Sequence, residues 1–269
     1  MDLELKGKGA LVTGGSRGLG RASALALANE GCNVAIAART RETLERTAAE
    51  IAALGVKSAA IVADVTDPTD VRRMVDEAAS SLGRLDVVVA NAGGSRRGGL
   101  LEATDEDWQF TLDINLMHAV RTIRASVPHF RRSGGGSVVI ISSVSGFKAA
   151  VPAQYGVAKA AEVFLAEALS LELAQFNIRV NCVAPGSIIF EGGGWQRRVK
   201  EMPEAMGRFM REEFPYKRLG TAQEIADAVA FLASPRSSWV VGTTLKVDGG
   251  QQNPGLWSPA ETPGPAPRS

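Results

Sequence analysis

The stretch TGGSRGLG, residues 13–20, decides the fold because of what lies on either side of it. Before it stands GALVT (9–13), a short strand-like run, and after it a helix-forming segment extends over 18–30. Its glycines follow the spacing G-x-x-x-G-x-G. Such glycines permit a tight turn and close approach of a ligand, while a helix N-terminus presents free N–H groups to an anion. The stretch therefore predicts a strand–turn–helix unit that can hold a phosphate group. A purely structural turn is the alternative.

Short β-branched runs alternate with helix-length segments along the rest of the chain. Strands are predicted at 9–13, 33–38, 59–63, 85–90, 137–142, 178–183 and 243–247. Helices are predicted near 18–30, 41–54, 68–82, 105–132, 153–176 and 222–233. Several of the strands are apolar throughout, as expected when both faces are buried. The alternation predicts an α/β fold in which helices flank a parallel sheet.

Composition and charge argue against several classes of protein. Of 269 residues, 45% are hydrophobic and 22% are charged, as in a globular chain, and the net charge of +1 gives no reason to expect nucleic acid as a partner. No apolar run reaches the roughly 18 residues of a transmembrane helix, and the acidic start does not resemble a secretory signal. A cytoplasmic protein without a membrane partner is expected. Cys32 and Cys182 are expected to be buried thiols rather than a disulfide.

Three segments divide the chain. Residues 1–250 show no composition break and are predicted to form one domain. Within them, 187–221 combines three successive glycines with apolar residues, which favours a lid over a substrate, the alternative being a plain amphipathic helix pair. Residues 251–269 contain five prolines without periodicity and are predicted to be an extended or disordered tail, in which Trp257 could act as an anchor.

The end of the second predicted strand indicates which dinucleotide the chain prefers. NAD-binding versions of this architecture carry an acidic residue there for the ribose hydroxyls. This chain has Ala38 followed by Arg39, and a second cation, Arg17, lies in the glycine turn. Two arginines can form charge-assisted bonds with a 2′-phosphate, which an acid would repel. The sequence therefore predicts NADP(H), unless Arg39 merely belongs to a solvated loop.

The stretch YGVAK, residues 155–159, places a phenol and an ammonium four residues apart in a helical segment. At that spacing Tyr155 and Lys159 are neighbours on one helix face. Asn115, one turn after Thr111 in the predicted helix 105–132, is a second polar residue beside an apolar stripe. A partly buried amide needs partners, and neighbouring backbone groups would be sufficient.

Taken together, these motifs resemble those of the short-chain dehydrogenase/reductases. The match covers about residues 5–250, and it comprises TGGSRGLG (13–20), ADV (63–65), NAG (91–93), Asn115, ISSVSG (141–146), YGVAK (155–159), PG (185–186) and VDGG (247–250). The resemblance implies a single-domain Rossmann fold with a doubly wound, seven-stranded parallel sheet. It also implies a homotetramer, with helices 105–132 and 153–176 at one interface and the last strand at another.

The resemblance further implies a set of cofactor-binding residues: Gly14, Ser16, Arg17, Gly18, Leu19, Gly20, Arg39, Asp64, Val65, Asn91, Ala92, Gly93, Tyr155, Lys159, Pro185, Gly186 and Ile188. One position departs from the family pattern. Phe190 stands where the family often has a threonine that binds the nicotinamide carboxamide, so backbone groups or Ser187 would have to replace it.

The same resemblance implies four catalytic residues: Asn115, Ser143, Tyr155 and Lys159. Reduction of a carbonyl needs a proton donor beside the oxygen, and Tyr155 is expected to supply it while the charge of Lys159 favours the phenolate. Lys159 would also hold the nicotinamide ribose, and Asn115 a water that exchanges protons with Lys159. Ser143 would stabilise the substrate oxygen. Chemistry alone does not separate it from Ser142 or Ser145.

Other catalytic classes are disfavoured. A serine hydrolase needs a histidine base, but His118 and His129 both lie in a predicted helix without a strand-end partner and are expected to be structural or exposed. No Cys/His/Asp cluster has the spacing of metal ligands, so no metal is predicted.

The sequence predicts an NADP(H)-dependent oxidoreductase that interconverts a ketone and a secondary alcohol. A 3-oxoacyl thioester is one compatible substrate among sugar-derived ketones, steroids and secondary alcohols. An NAD-linked alcohol or hydroxysteroid dehydrogenase and a non-catalytic dinucleotide-sensing scaffold are the alternatives. Four arginines, Arg96, Arg97, Arg197 and Arg198, would suit an anionic substrate or carrier but equally a solvated surface.

Overall fold

The computed structural model describes residues 2–96 and 98–251. In chain order its strands are β1 (Gly9–Thr13), β2 (Asn33–Ala38), β3 (Ser58–Val62), β4 (Val87–Ala90), β5 (Gly136–Ile141), β6 (Ile178–Pro185), β7 (Ile188–Ile189), β8 (Gly220–Thr221) and β9 (Thr244–Val247). Seven of them form one sheet in the order β3-β2-β1-β4-β5-β6-β9, and every neighbouring pair is parallel. The predicted seven-stranded, doubly wound parallel sheet is confirmed.

Helices cover both faces of this sheet. They are α1 (Gly18–Asn29), α2 (Arg41–Ala52), α3 (Pro68–Leu82), α4 (Asp105–Leu112), α5 (His118–Ser133), α6 (Ala153–Leu173), α7 (Gly194–Glu201), α8 (Pro203–Glu213) and α9 (Ala222–Ala233). Local sequence explains bounds such as those of α3. The Asp67 side chain accepts bonds from the first free N–H groups, Pro68 begins the helix, and Gly83 ends it in a left-handed conformation with φ of 83°.

Successive strand residues contribute to two different apolar cores. Leu11 packs in the core with residues of α3, α5 and α6, whereas its neighbour Val12 packs in the core with residues of α1, α2 and α9. Val88 and Val89 of β4 divide in the same way. Side chains alternate across a strand, so a strand covered on both faces must be apolar at every position. This requirement accounts for the unbroken apolar runs in the sequence.

The helix predicted over 105–132 is interrupted. Residues Asp113–Met117 form a π-helical turn between α4 and α5. Single π turns occur inside helices and are frequent at functional sites. Asn115 lies in the middle of this turn, with its residue fully buried.

Residues 187–221 form a small unit of their own. β7 and β8 pair in parallel at its base, and α7 and α8 lie between them. Its apolar cluster centres on Met206, Phe214 and Leu219, and the rings of Trp195 and Phe209 stack at a centroid distance of 5.2 Å. The segment thus contains the helix pair named above as the alternative to a lid.

The start of the predicted tail is ordered where it is described. Gln251 is buried, and its side-chain oxygen accepts a hydrogen bond from the backbone N–H of Ser187 at 2.8 Å. The rest of the predicted tail, including Trp257, lies outside the described residues.

Within the described residues, no helix combines the length and the apolar character that crossing a membrane requires. Both cysteines are buried and free, as predicted. Burial raises the pKa of each thiol to about 12, with the neighbouring Asp86 adding to the effect at Cys32 and Glu162 at Cys182.

Candidate active site

The site lies at the carboxyl ends of the parallel strands, where the chain changes direction across the sheet. β1 stands between β2 and β4 in the strand order, so the connections after β1 and β4 diverge to opposite sides. Ligands of open α/β sheets bind in the crevice at such a point. The cleft found there has a volume of about 590 Å³.

The glycine turn after β1 forms one wall of this cleft. Gly14 and Gly18 have φ values of 64° and 56°, a left-handed conformation that favours glycine. An added Cβ at Gly20 would lie 2.3 Å from the Gly14 carbonyl oxygen, so the turn closes tightly only without a side chain. The bare backbone at the start of α1 is a cradle suited to a pyrophosphate.

Most of the predicted cofactor residues line this one cleft. They are Gly14, Ser16, Arg17, Gly18, Leu19, Gly20, Arg39, Asp64, Val65, Asn91, Ala92, Gly93, Tyr155 and Lys159. The other three, Pro185, Gly186 and Ile188, are not among the lining residues. Pro185 pairs with Val247 of β9, and Ile188 pairs with Gly220 of β8. The proposed contacts of these three with a cofactor remain predictions.

Two cationic side chains belong to the lining of the cleft. Arg17 and Arg39 are both exposed and both line it. Their neighbours Arg21 and Arg41 form ion pairs with Glu50 and Glu45, whereas neither lining arginine has an ion pair among the described residues. Their positive charge therefore remains available to an anionic ligand.

Three of the four arginines considered for an anionic substrate have partners in the structure. Arg96 donates to Asp107 at 3.0 Å and its guanidinium lies over the Phe110 ring. Arg198 lies over the ring of Trp195, at 4.7 Å from its centroid. Arg197 has Glu201 at 3.9 Å, and Arg97 lies outside the described residues. These contacts favour a role at the surface over a role in anion recognition.

A buried polar network supports two of the residues that line the cleft, Asn91 and Ala92. The Thr13 hydroxyl accepts hydrogen bonds from the N–H groups of Asn91 at 3.0 Å and Ala92 at 3.1 Å. It also lies 2.9 Å from Nε2 of His118. Its one O–H proton faces two acceptors, Nε2 at 2.9 Å and the Val89 carbonyl oxygen at 3.4 Å, and the shorter distance favours donation to a neutral His118. The network fixes the backbone that follows β4.

The expectation that His118 lacks a strand-end partner is therefore wrong. Thr13 is the last residue of β1, and His118 is the buried first residue of α5. Burial, with the positive charge of Lys159 nearby, lowers the pKa of His118 to about 3. His129, in contrast, contacts Asp76 at 2.7 Å near the surface.

Asn115 joins the π turn to the loop after β4. Its amide nitrogen donates to the carbonyl oxygens of Gly94 at 2.6 Å and Thr111 at 2.7 Å, and its oxygen accepts from the Gly94 N–H at 3.2 Å. An added Cβ at Gly93 would lie 2.7 Å from the Asn115 oxygen and 3.3 Å from Lys159 Nζ. Asn115 and Lys159 therefore approach the same point of the loop.

The structure distinguishes the serines after β5. The Ser142 hydroxyl is buried and donates to the Lys159 carbonyl oxygen at 2.7 Å. The Ser143 hydroxyl is partly exposed and accepts from the N–H of Ser145 at 3.1 Å. Ser142 lines the cleft but its proton is used to hold α6, whereas Ser143 keeps its own proton for donation but is not among the lining residues, so its role stays a prediction.

Tyr155 and Lys159 lie one turn apart on α6, and both line the cleft. Lys159 Nζ is 5.6 Å from the centre of the Tyr155 ring and donates to the Ile141 carbonyl oxygen at 2.9 Å. It also contacts both carboxylate oxygens of Glu162, at 3.0 and 3.2 Å. Burial alone would lower the pKa of Lys159, but Glu162 and Tyr155 together raise it above its ordinary value.

The roles of two residues in or near the cleft, Phe190 and Glu162, were not foreseen. Phe190 lines the cleft, and its ring lies where a Cβ on Gly18 would approach to 2.9 Å. Ser187, considered as a substitute anchor for the carboxamide, has its hydroxyl 3.2 Å from the Gln251 side-chain oxygen. Glu162 could have been found in the sequence, since it stands three residues after Lys159 in an otherwise apolar segment.

A parallel sheet with a glycine-turn cleft, a tyrosine and a lysine defines a class of nucleotide-dependent oxidoreductases. The family described as "Enoyl-(Acyl carrier protein) reductase" matches residues 14–252. The 3-oxoacyl-[acyl-carrier-protein] reductase FabG of Staphylococcus aureus is 39% identical over 250 residues, covering 90% of this chain and 97% of that protein. The chain belongs to the short-chain dehydrogenase/reductase family, whose members bind a nicotinamide dinucleotide.

Solved structures agree with this assignment. L-Sorbose reductase from Gluconobacter frateurii, in complex with NADPH and L-sorbose, matches with a TM-score of 0.89 at 33% identity and covers 94% of this chain and 99% of its own. A 7α-hydroxysteroid dehydrogenase, in complex with NADH and 7-oxo glycochenodeoxycholic acid, matches with a TM-score of 0.86 at 30% identity and covers 93% and 96%. Both nicotinamide dinucleotides are thus represented among similar structures.

Proposed function

We propose that this chain is an NADP(H)-dependent oxidoreductase that interconverts a ketone and a secondary alcohol, with Tyr155 as the general acid and base. One observation carries the proposal. Tyr155 and Lys159 line the same cleft as the glycine turn, so a dinucleotide held by that turn would extend towards them. The glycine cradle fits such a dinucleotide, as do Arg17 and Arg39, which have no ion pair within the described part of the chain.

The chain's own residues would handle the proton and the developing charge. The nicotinamide, when bound, supplies or accepts the hydride. During reduction the Tyr155 hydroxyl donates its proton to the carbonyl oxygen. Lys159 stabilises the resulting phenolate by its charge, and the Ser143 hydroxyl donates a hydrogen bond to the same substrate oxygen. Asn115 fixes the loop at Gly94 beside Lys159.

The preference for NADP(H) rests on Arg17 and Arg39. Both line the cleft without a carboxylate partner among the described residues. They could therefore form charge-assisted hydrogen bonds with a 2′-phosphate. The neighbouring strand end offers Ala38, a residue with no carboxylate for ribose hydroxyls. The NADPH complex of the similar L-sorbose reductase supports this choice, and the NADH complex of the hydroxysteroid dehydrogenase supports the alternative of an NAD-linked dehydrogenase.

A 3-oxoacyl thioester is the substrate class that we favour. The support comes from the similarity to the S. aureus 3-oxoacyl-[acyl-carrier-protein] reductase. The apolar cluster within 187–221, here proposed as a lid of the domain 1–250, would suit an acyl chain. Phe190 connects this segment with the glycine turn.

A homotetramer is the assembly that we favour, in the cytoplasm as the sequence predicts. Its support is an apolar stripe on α6: Val157, Phe164 and Leu171 recur every seven residues and are 50%, 70% and 81% exposed. Residues seven apart lie on one helix face, and exposed apolar faces of this kind mark interaction surfaces.

Turnover of purified protein tests the proposal. NADPH and NADH are each offered with a panel of ketones that includes a 3-oxoacyl thioester, and NADPH is expected to be oxidised faster. Tyr155→Phe removes the proton donor but leaves the ring, so kcat should fall by about 10²–10⁴ while NADPH still binds. Undiminished turnover in this variant would exclude Tyr155 as the acid. Binding of NADPH without turnover on any ketone would favour a dinucleotide sensor.

A further inference from the structure

A buried carboxylate lies beside the lysine of the candidate active site. The Glu162 side chain is 2% exposed and that of Lys159 is 4% exposed. Both carboxylate oxygens lie within 3.2 Å of Nζ. Paired charges of this kind are costly to bury, and a buried charge without its partner is costlier still. Packing alone therefore does not account for the presence of this buried ion pair.

The geometry also limits what Lys159 can do. An ammonium group has three N–H donors. One is directed to the Ile141 carbonyl oxygen at 2.9 Å, and at least one is directed to Glu162. At most one donor remains for the cleft, so the carboxylate fixes the direction in which the ammonium group faces.

We propose that Glu162 is a positioning residue for Lys159. Its carboxylate fixes the direction of the ammonium group. As a buried counter-charge, it also raises the pH at which the Tyr155–Lys159 pair loses its first proton. The inference rests on the proposed function, in which reduction needs both Tyr155 and Lys159 protonated. A negative charge close to two protonated groups opposes proton loss from either one. The direction of the effect is therefore the same whichever group loses its proton first.

The other titratable groups near the Lys159–Glu162 pair do not change their charge near neutral pH. Cys182 on β6 and His118 on α5 are the ones that act on it electrostatically. Burial raises the pKa of Cys182 to about 12 and lowers the pKa of His118 to about 3, so both are neutral near neutral pH. Burial raises the pKa of Glu162 to about 6, against the opposing charge of Lys159. Above that pH the carboxylate is the one negative charge next to Lys159 among the described residues.

The test is the pH dependence of kcat/KM for carbonyl reduction in Glu162→Gln. Glutamine keeps the size and a hydrogen-bond acceptor for Nζ but removes the charge. One unit charge at about 4 Å corresponds to about 3 pK units at an effective dielectric constant of about 20, and less at the more distant phenol. The pH at which kcat/KM falls on the alkaline side, here called the alkaline limb, is therefore expected to be lower in the variant by at least about one pH unit. Below about pH 6, where the carboxylate of the wild type is protonated, the profiles of wild type and variant should converge.

The matched control is Glu172→Gln, which removes a charge from an exposed position on the same helix. Its profile should coincide with that of the wild type. The inference would be overturned if the alkaline limb of Glu162→Gln coincided with that of the wild type, or if the control variant showed an equal shift of its limb. A purely structural role would lower activity equally at every pH and would also count against it.

A second variant guards against misfolding. Glu162→Asp keeps the charge but withdraws it by one methylene, so its limb should lie about half a unit below the wild type. A folded Glu162→Asp with an unshifted limb would refute the inference. Absence of wild-type turnover would instead refute the proposed function, and this inference with it.

Discussion

Acid should weaken this protein through one buried histidine, His118. The ring is fully buried, and its Nε2 lies 2.9 Å from the Thr13 hydroxyl oxygen. Protonation would place a hydrogen on that nitrogen, facing a hydroxyl whose oxygen already accepts two N–H groups. Substitution by glutamine removes the titration while leaving an amide oxygen that can accept from Thr13.

The sign and size of the effect follow from the two states. The pKa of His118 lies at about 3 in the folded protein, against an ordinary value of 6.5 that applies when the chain is unfolded. Between these values the unfolded state binds more protons, so stability falls as the pH falls through that range. At about pH 5 the difference amounts to roughly 1.5 pK units, or about 2 kcal/mol of unfolding free energy.

Urea unfolding of wild type and His118→Gln, at one protein concentration and at several pH values, measures this difference. On going from about pH 7 to about pH 5, the wild type should lose about 2 kcal/mol more than the variant. His129→Gln is the matched control, since the chain has two histidines and His129 lies near the surface beside Asp76. This control should keep the acid-dependent loss. Parallel pH dependences in wild type and His118→Gln would show that the ring is already charged or not buried.

Two further outcomes are expected. Arg39→Ala should raise KM for NADPH by about 10- to 100-fold, the value of one lost charge-assisted contact, and change KM for NADH little. Arg41→Ala, which removes an arginine paired with Glu45, is its control, and an equal effect on both cofactors would count against a 2′-phosphate site. Phe164→Glu places a charge in the exposed stripe of α6 and should dissociate the assembly, which sedimentation would detect as a smaller particle. A wild-type monomer at all concentrations would refute the tetramer.

Much of the fold could be predicted because its elements carry local signals. β1 and β2 have the predicted bounds, and α3 and α9 as well, since apolar runs and caps determine them. The two-residue strands β7 and β8 could not be predicted, because such short pairs depend on tertiary contacts. The π turn at Asp113–Met117 likewise leaves no mark in the apolar periodicity.

The candidate site divides in a similar way. Residues of recurring motifs line one cleft, among them the glycine turn and the Tyr155 and Lys159 of YGVAK, while their roles stay predictions. The partner of His118 lies 105 residues away in the sequence, so no local pattern indicates it. Glu162 is different, since its spacing from Lys159 was visible. Its burial was not, because an acidic residue on a helix is usually solvated.

The strand order has a consequence for how such a protein can change. Gly14, Arg17, Arg39 and Asp64 follow β1, β2 and β3, on one half of the sheet, whereas Ser143 follows β5 and Tyr155 lies on α6, on the other half. Under the proposed function, the choice of electron carrier and the chemistry on the substrate are therefore encoded in separate stretches of the chain. Exchange of the first stretch between relatives could change which dinucleotide is used, while the proton-transferring groups stay in place.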